Sequence, residues 1–168
     1  AKDFVAMATV CDVMSLTGEN RILVKEGLKR IRHTKNIGLQ ALMQACNVQP
    51  ENISAYHFGY VLGPCVNATG RLDTARHALR LFETGQETEA EEIARDLVDL
   101  NQERKELTLQ GVEMAKKLCE EGGYENDPVL VLFLPDVHES IAGLIAGRIR
   151  EMYILAPSSL QTNFFTAL

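Results

Sequence analysis

The feature that most constrains this fold is one long helical pattern, from about Glu87 to Glu121. Positions 93, 97, 100, 104, 107, 111, 114 and 118 step by four and three and read Ile, Leu, Leu, Arg, Leu, Gly, Met and Leu. That is a heptad seam with two interruptions. Glu91 with Arg95, and Glu113 with Lys117, are favourable pairs one turn apart. Thr84-Gly85-Gln86 separates this helix from what precedes it, and Gly122-Gly123 ends it. A helix of this length with an acidic outer face commonly bridges two domains.

Before it, the chain reads as short helices. Residues 2–14, with Phe4, Val5, Ala8 and Val10, predict a buried helix ending near Asp12. SLTGEN is a loop, in which Thr17 or Asn20 can cap the next helix. From Arg21 to Arg32, the residues Ile22, Leu23, Leu28 and Ile31 form one apolar stripe with the bases opposite. A shorter helix spans about Ile37 to Cys46, and Gln49–Asn52 is a turn. Ile53 to Leu62 is ambiguous by periodicity. After Arg71, the positions Leu72, Ala75, Leu79 and Phe82 fit a helix, with Asp73 near its start.

After the long helix the character changes. Val129 to Leu134, VLVLFL, predicts a strand buried on both faces. PDVHES is a loop and IAGLIAGRIREMY a helix, which together make one βα unit of an α/β-type domain. Gly143 and Gly147 predict close packing of that helix on its strand. The tail APSSLQTNFFTAL carries no recognisable second strand. An orphan strand needs a partner, so self-association or strand exchange through residues 128–168 is expected.

Composition excludes several classes. The 168 residues, 46% hydrophobic, suit one to one and a half domains. No apolar run is long enough to span a bilayer, so no membrane partner and a cytoplasmic location are expected. The start, AKDFVAMATV, has no basic n-region and reads as mid-domain, which suggests a fragment. Cys11, Cys46, Cys65 and Cys119 show no CxxC or zinc spacing and are expected as reduced core thiols. The net charge of −6 argues against a generic nucleic-acid binder. Its distribution is uneven: residues 21–35 hold six Lys or Arg against one Glu, and residues 83–127 hold fourteen acids against five bases. Such a division can steer a polyanion to one face, or can mean only two solvated helix faces.

The densest candidate site is LGPCVNATGRL, residues 62–72. Its glycines can let the backbone approach a phosphate, Asn67 and Thr69 can donate hydrogen bonds, and Arg71 offers a planar fork suited to phosphate oxygens. A helix–turn–helix corner, with Asn67 holding the turn and Arg71 in an ion pair, accounts for the same residues. Elsewhere, Asp12 is a lone carboxylate and His138 lies in the strand-to-helix loop.

Three stretches in order, ATVCDVMSLTGENR (8–21), LGPCVNATGRL (62–72) and HESIAGLIAGRIREMY (138–153), resemble the RecJ single-strand-specific exonucleases of the DHH phosphoesterase superfamily. The resemblance covers residues 1 to about 153 and includes the long helix between the last two motifs. It implies a mostly α fragment with a small α/β part. Residues 1–86 are the helical back half of a DHH catalytic domain, 87–122 a linker helix, and 123–168 an incomplete βα start of a C-terminal nucleic-acid-binding domain. It implies hydrolysis of single-stranded DNA from the 5′ end with two Mn²⁺ or Mg²⁺ ions. Asp12 is then a metal ligand, and Arg71, Asn67, Gly70, Thr69 and His138 meet the DNA phosphates. Cys65 and Val137 stand where the family has Arg and Trp. The family's other metal motifs are absent from these residues, so this chain alone is expected to be inactive and to bind no metal pair. A helical interaction module, or a nucleic-acid-binding module without chemistry, is the alternative.

Overall fold

The computed structural model describes residues 2–72, 75–122, 129–154 and 163–167, with the side chains of 71, 72, 129, 154 and 163–167 outside the description. Asp73, predicted near a helix start, lies outside the described residues. Among the described residues, seven α-helices carry the architecture: α1 (Lys2–Cys11), α2 (Gly18–Ile31), α3 (Ile37–Ala45), α4 (Gly63–Leu72), α5 (Ala75–Glu83), α6 (Glu87–Gly122) and α7 (Glu139–Ile154). A 3₁₀ turn covers Pro50–Asn52 and a π-helix covers His57–Leu62. The strands are β1 (Val129–Phe133) and β2 (Asn163–Ala167). The fold is mostly α with a small α/β part, as expected. It divides into two compact units, Ala1–Asn101 and Gln102–Leu168.

In the first unit, helices pack because small residues let them approach. A Cβ on Gly27 would sit 2.1 Å from the Ala6 Cβ and 2.7 Å from the Lys2 carbonyl oxygen, so α1 and α2 cross almost backbone to backbone. The buried residues of α1 are Ala6 and Met7, while Val5 and Ala8 face out. On α2 the buried face is Val24, Gly27 and Ile31, and Ile22 is 62% exposed. These correct the expected stripes. The apolar residues outnumber the positions that one helix face can bury, and the small residues settle which face is used. On α5 likewise, Ala78 and Leu81 are buried and Leu79 is exposed.

Thr34 and Asn36 tie the loop between α2 and α3 into this core. The Thr34 hydroxyl donates to the Asp3 carboxylate (3.1 Å), and its carbonyl accepts from the Gln40 amide (2.8 Å). Burial opposes charge on Asp3, yet hydrogen bonds that include those from Thr34 and the Phe4 N–H hold its carboxyl below the usual range. Asn36 caps α3, its side chain accepting from the Leu39 N–H (2.8 Å) while its amide donates to the Phe82 carbonyl (2.8 Å). Phe82 in turn meets Phe4 edge to face at 5.2 Å.

The row that α6 buries differs from the expected one. Ile93, Leu97 and Gly111 are buried as predicted, but Asn101, Thr108 and Ala115 take the buried places expected for Leu100, Leu107 and Met114, and Ala94 is buried beside Ile93. The row contains two polar residues because each is satisfied internally. The Thr108 hydroxyl donates to the Arg104 carbonyl (2.7 Å), and the Asn101 amide to the Cys65 Sγ (3.5 Å). Small residues here also let neighbours in close.

The second unit packs β1 and α7 on the C-terminal half of α6. Leu130, Leu132 and Leu134 interleave with Val112, Ala115 and Cys119 of α6 and with Ile141, Ile145 and Ile149 of α7. Burial alternates along β1, with Val131 51% and Phe133 65% exposed, so among the described residues the strand is covered on one face. β2 pairs with β1 in parallel, from Val129 with Asn163 to Phe133 with Ala167. The tail therefore does contain a second strand, with α7 as the crossover that parallel pairing requires. This removes the orphan strand on which strand exchange was premised. The glycines of α7 are not at a close contact either: among the described residues nothing lies within 4 Å of a Cβ on Gly143 or Gly147. The tight approach is at Gly111, whose Cβ would lie 2.3 Å from the Ile145 Cδ1.

Asn36→Ala removes a helix cap and a bond to another helix at once. It is expected to lower unfolding free energy by about 1–2 kcal/mol in urea titration. A loss below a few tenths would mean that neither bond holds the first unit together.

Candidate nucleic-acid and metal site

The 62–72 stretch is helix, not a corner between helices with Asn67 in its turn. Residues from Ala55 onward are helical without a break through the π-helix into α4, and Gly63 is itself in the right-handed region (φ −57°, ψ −47°). Pro64 explains the widened turn. A proline inside a helix has no N–H to donate and its ring crowds the carbonyl four residues back. Widening the turn just upstream relieves that crowding, and the Gly63 N–H bonds five residues back to the Phe58 carbonyl. Glycine, proline and asparagine together suggest a turn, and no periodicity rule anticipates a π-segment.

α4 has two distinct faces. Cys65, Ala68 and Thr69 are buried, at 3%, 0% and 1% exposure. Asn67 and Gly70 are exposed, and by helical register position 71 lies on their side. The Thr69 hydroxyl donates to the Val66 carbonyl (2.8 Å) inside the helix, so this candidate phosphate donor is turned inward. Nothing described lies within 4 Å of a Cβ on Gly70. The side chain of Arg71 lies outside the description.

Asp12 closes α1. It is exposed, and its N–H still bonds back to the Ala8 carbonyl (2.9 Å). Beyond it the Val13 N–H bonds to the Val10 carbonyl (3.1 Å) and the Met14 N–H to the Thr9 carbonyl (3.1 Å). These two bonds form a Schellman ending, which needs a left-handed residue and usually takes glycine. Here that residue is Val13, at φ 55° and 89% exposed. A β-branched side chain in that region costs roughly 1–2 kcal/mol, and Val13 has no burial to offset it. α3 ends in the same way at Asn47 (φ 55°), where asparagine adopts the conformation readily.

The end of α1 and the start of α4 meet at one point. The Cys11 thiol donates to the Phe58 carbonyl (3.5 Å), the same oxygen that receives the Gly63 N–H. A Cβ on Gly63 would lie 2.5 Å from both the Cys11 Sγ and that oxygen. Burial, and then the neighbouring Asp12 charge, push the Cys11 thiol up and keep it protonated as a donor. Asp12 is thus one residue from the junction that seats the 62–72 motif. On the same π-segment, Tyr60 (74% exposed) stacks on Tyr56 (62% exposed) at 5.2 Å. Neither aromatic was singled out from the sequence.

His138 belongs to the second unit and is exposed. Its Nδ1 accepts from the Ser140 N–H (3.3 Å) and lies 2.7 Å from the Ser140 Oγ, so the ring caps α7. Among the described residues, no three His, Cys, Asp or Glu side chains gather as a metal site. A divalent ion needs several oxygen ligands, and Asp12 supplies one at most. The described residues do not by themselves fit a metal pair.

No family model matches the chain. The single-stranded-DNA-specific exonuclease RecJ of Escherichia coli is 37% identical over 156 residues, covering 90% of this chain and 27% of that protein. The crystal structure of RecJ in complex with Mg²⁺ from Thermus thermophilus aligns with a TM-score of 0.80 at 32% identity, over 98% of this chain. The chain is RecJ-like. RecJ in complex with Mn²⁺ from the same organism gives the same TM-score and identity. The RecJ-like chain spans about a quarter of the length of these relatives: 27%, 25% and 24%. Among its described residues, no helix is long and apolar enough to cross a membrane.

Two substitutions at the junction have opposite expected signs. Gly63→Ala forces Cys11 or the Phe58 carbonyl aside and is expected to cost about 1–3 kcal/mol. Val13→Gly relieves the left-handed valine and is expected to add about 1 kcal/mol. Chemical denaturation of both variants measures this, and a neutral Gly63→Ala would mean that the helices are not in contact there.

Proposed function

We propose that this chain is part of an exonuclease that hydrolyses phosphodiester bonds of single-stranded DNA from the 5′ end, with Mn²⁺ or Mg²⁺ as the metal. The observation that carries this is the agreement with RecJ in both sequence and fold over nine-tenths or more of the chain. Residues 1–86 are read as the back part of the catalytic domain, 87–122 as the connecting helix, and 123–168 as part of the C-terminal domain. A cytoplasmic location goes with this reading.

The DNA-binding surface is the outer face of α4. Asn67 donates from its amide, and Gly70 leaves bare backbone where a phosphate can come close. Arg71, on the same side by register, brings a guanidinium suited to phosphate oxygens. Thr69 is left out of this set because its hydroxyl is turned inward. The exposed Tyr56 and Tyr60 are of the kind on which unpaired bases stack. Asp12 is a single metal ligand whose companions are not among the described residues, and His138 is a phosphate contact from the second unit.

Binding of a short 5′-phosphorylated single strand tests this surface. Arg71→Ala is expected to weaken it by about 1.5–3 kcal/mol and to flatten its salt dependence. Gly70→Ala is expected to strengthen the helix by up to about 1 kcal/mol and yet weaken binding, since the new methyl group stands in the phosphate's way. Full affinity in both variants would remove α4 from the interface. The chain alone is expected not to digest the strand with Mn²⁺, and digestion abolished by Asp12→Ala would overturn that expectation.

Self-association through 128–168 rests on the exposed Val131 and Phe133 of β1. Light scattering on eluted protein is expected to give a dimer mass, and a monomer at high concentration would dismiss it.

A further inference from the structure

Two thiols meet behind α4, in a place the DNA reading does not use. Cys46 follows the last residue of α3, and Cys65 lies on the buried face of α4; their Sγ atoms are 3.8 Å apart. Neither is in a disulfide. The 19 residues of sequence separation mean that the fold, not local chain geometry, brings them together. Each side is held. The left-handed Asn47 and the bond from the Val48 N–H to the Met43 carbonyl (2.8 Å) fix the end of α3. Cys65 Sγ lies 3.3 Å from the Val61 carbonyl and receives the Asn101 amide at 3.5 Å. Cys65 is 3% exposed, whereas Cys46 is only half-buried.

We propose that Cys46 and Cys65 form a redox modification site, oxidised by peroxide to an intramolecular disulfide. Cys46, the more accessible, meets the oxidant. Its sulfur attacks one oxygen of hydrogen peroxide, the O–O bond breaks, and the departing hydroxide takes the thiol proton as water, leaving a sulfenic acid. The Cys65 sulfur then attacks the Cys46 sulfur. The S–O bond breaks, and the leaving hydroxide takes the Cys65 proton as a second water. Two thiols and one peroxide give one disulfide and two waters, with two electrons passing from sulfur to oxygen. The sulfurs must close by roughly 2 Å to reach bonding distance.

The other cysteines are poorer targets. Cys119 is buried in the second unit, and Cys11 donates to the Phe58 carbonyl with its thiol pushed up by burial and by Asp12. The bond would fasten the end of α3 to the inner side of α4, whose outer side carries Asn67 and Gly70. The proposal rests on packing within the first unit and does not depend on DNA binding.

The test treats the folded protein with hydrogen peroxide, alkylates remaining thiols after denaturation, and maps peptides without reduction. The expected main product is a Cys46–Cys65 linked peptide, with two hydrogens lost from the intact mass and both thiols restored by dithiothreitol. In Cys65→Ser, oxidation is expected to stop at a sulfenic acid on Cys46 that dimedone traps. Should that buried change prevent folding, Cys46→Ser is expected to give no cross-link and to leave Cys65 reduced. Full alkylation of both residues after peroxide overturns the proposal. So does sulfinic acid on Cys46 without a cross-link, or a main product that links Cys11 or Cys119.

Discussion

One carbonyl oxygen organises the first unit. The Phe58 carbonyl takes the Gly63 N–H from within its own helix and the Cys11 thiol from α1. Both donors reach it because residue 63 has no side chain. That contact fixes where α1 stops relative to where α4 starts, and so sets Asp12 one residue from the seat of the 62–72 motif. The π-turn required by Pro64 presents that oxygen five residues back rather than four. The adjacent Gly63 and Pro64 and the sequence-distant Cys11 thus act as one joint.

Much of the architecture was legible because it depends on patterns that tertiary contact does not override. The long α6, the extent of α3 and the βα unit after Gly122 all follow from helical or strand periodicity and from breakers. What periodicity misjudged was orientation. Along α6 the buried row runs through Ala94, Asn101, Thr108 and Ala115, because close packing selects small side chains and tolerates polar ones that find partners. A hydrophobicity count prefers Leu100, Leu107 and Met114 and so is displaced by one residue. The same preference for small residues explains Gly27 on α2 and Gly111 on α6. β1 differs in the other direction: an unbroken apolar run suggests cover on both faces, but among the described residues Val131 and Phe133 are left exposed on one.

The candidate site was legible in composition and not in shape. Asn67, Gly70 and Arg71 stand out as phosphate-binding residue types, yet the same residues suit a helix–turn–helix corner. The helix sorts them, turning Asn67 and Gly70 outward and burying Thr69 with its hydroxyl engaged. Nothing in a residue's identity says which side of a helix it takes until the buried side is known. His138 stands out in the sequence as a candidate phosphate contact, and its ring also caps α7, a role common to residues just before a helix.

Val13 carries a consequence of another kind. Every valine codon becomes a glycine codon by changing one nucleotide. Relief of the left-handed backbone at the end of α1 is therefore a single mutational step away in any descendant of this gene. Lineages that keep valine beside Asp12 decline that step, and how often they do so across divergent genomes measures selection for a branched side chain on that exposed corner.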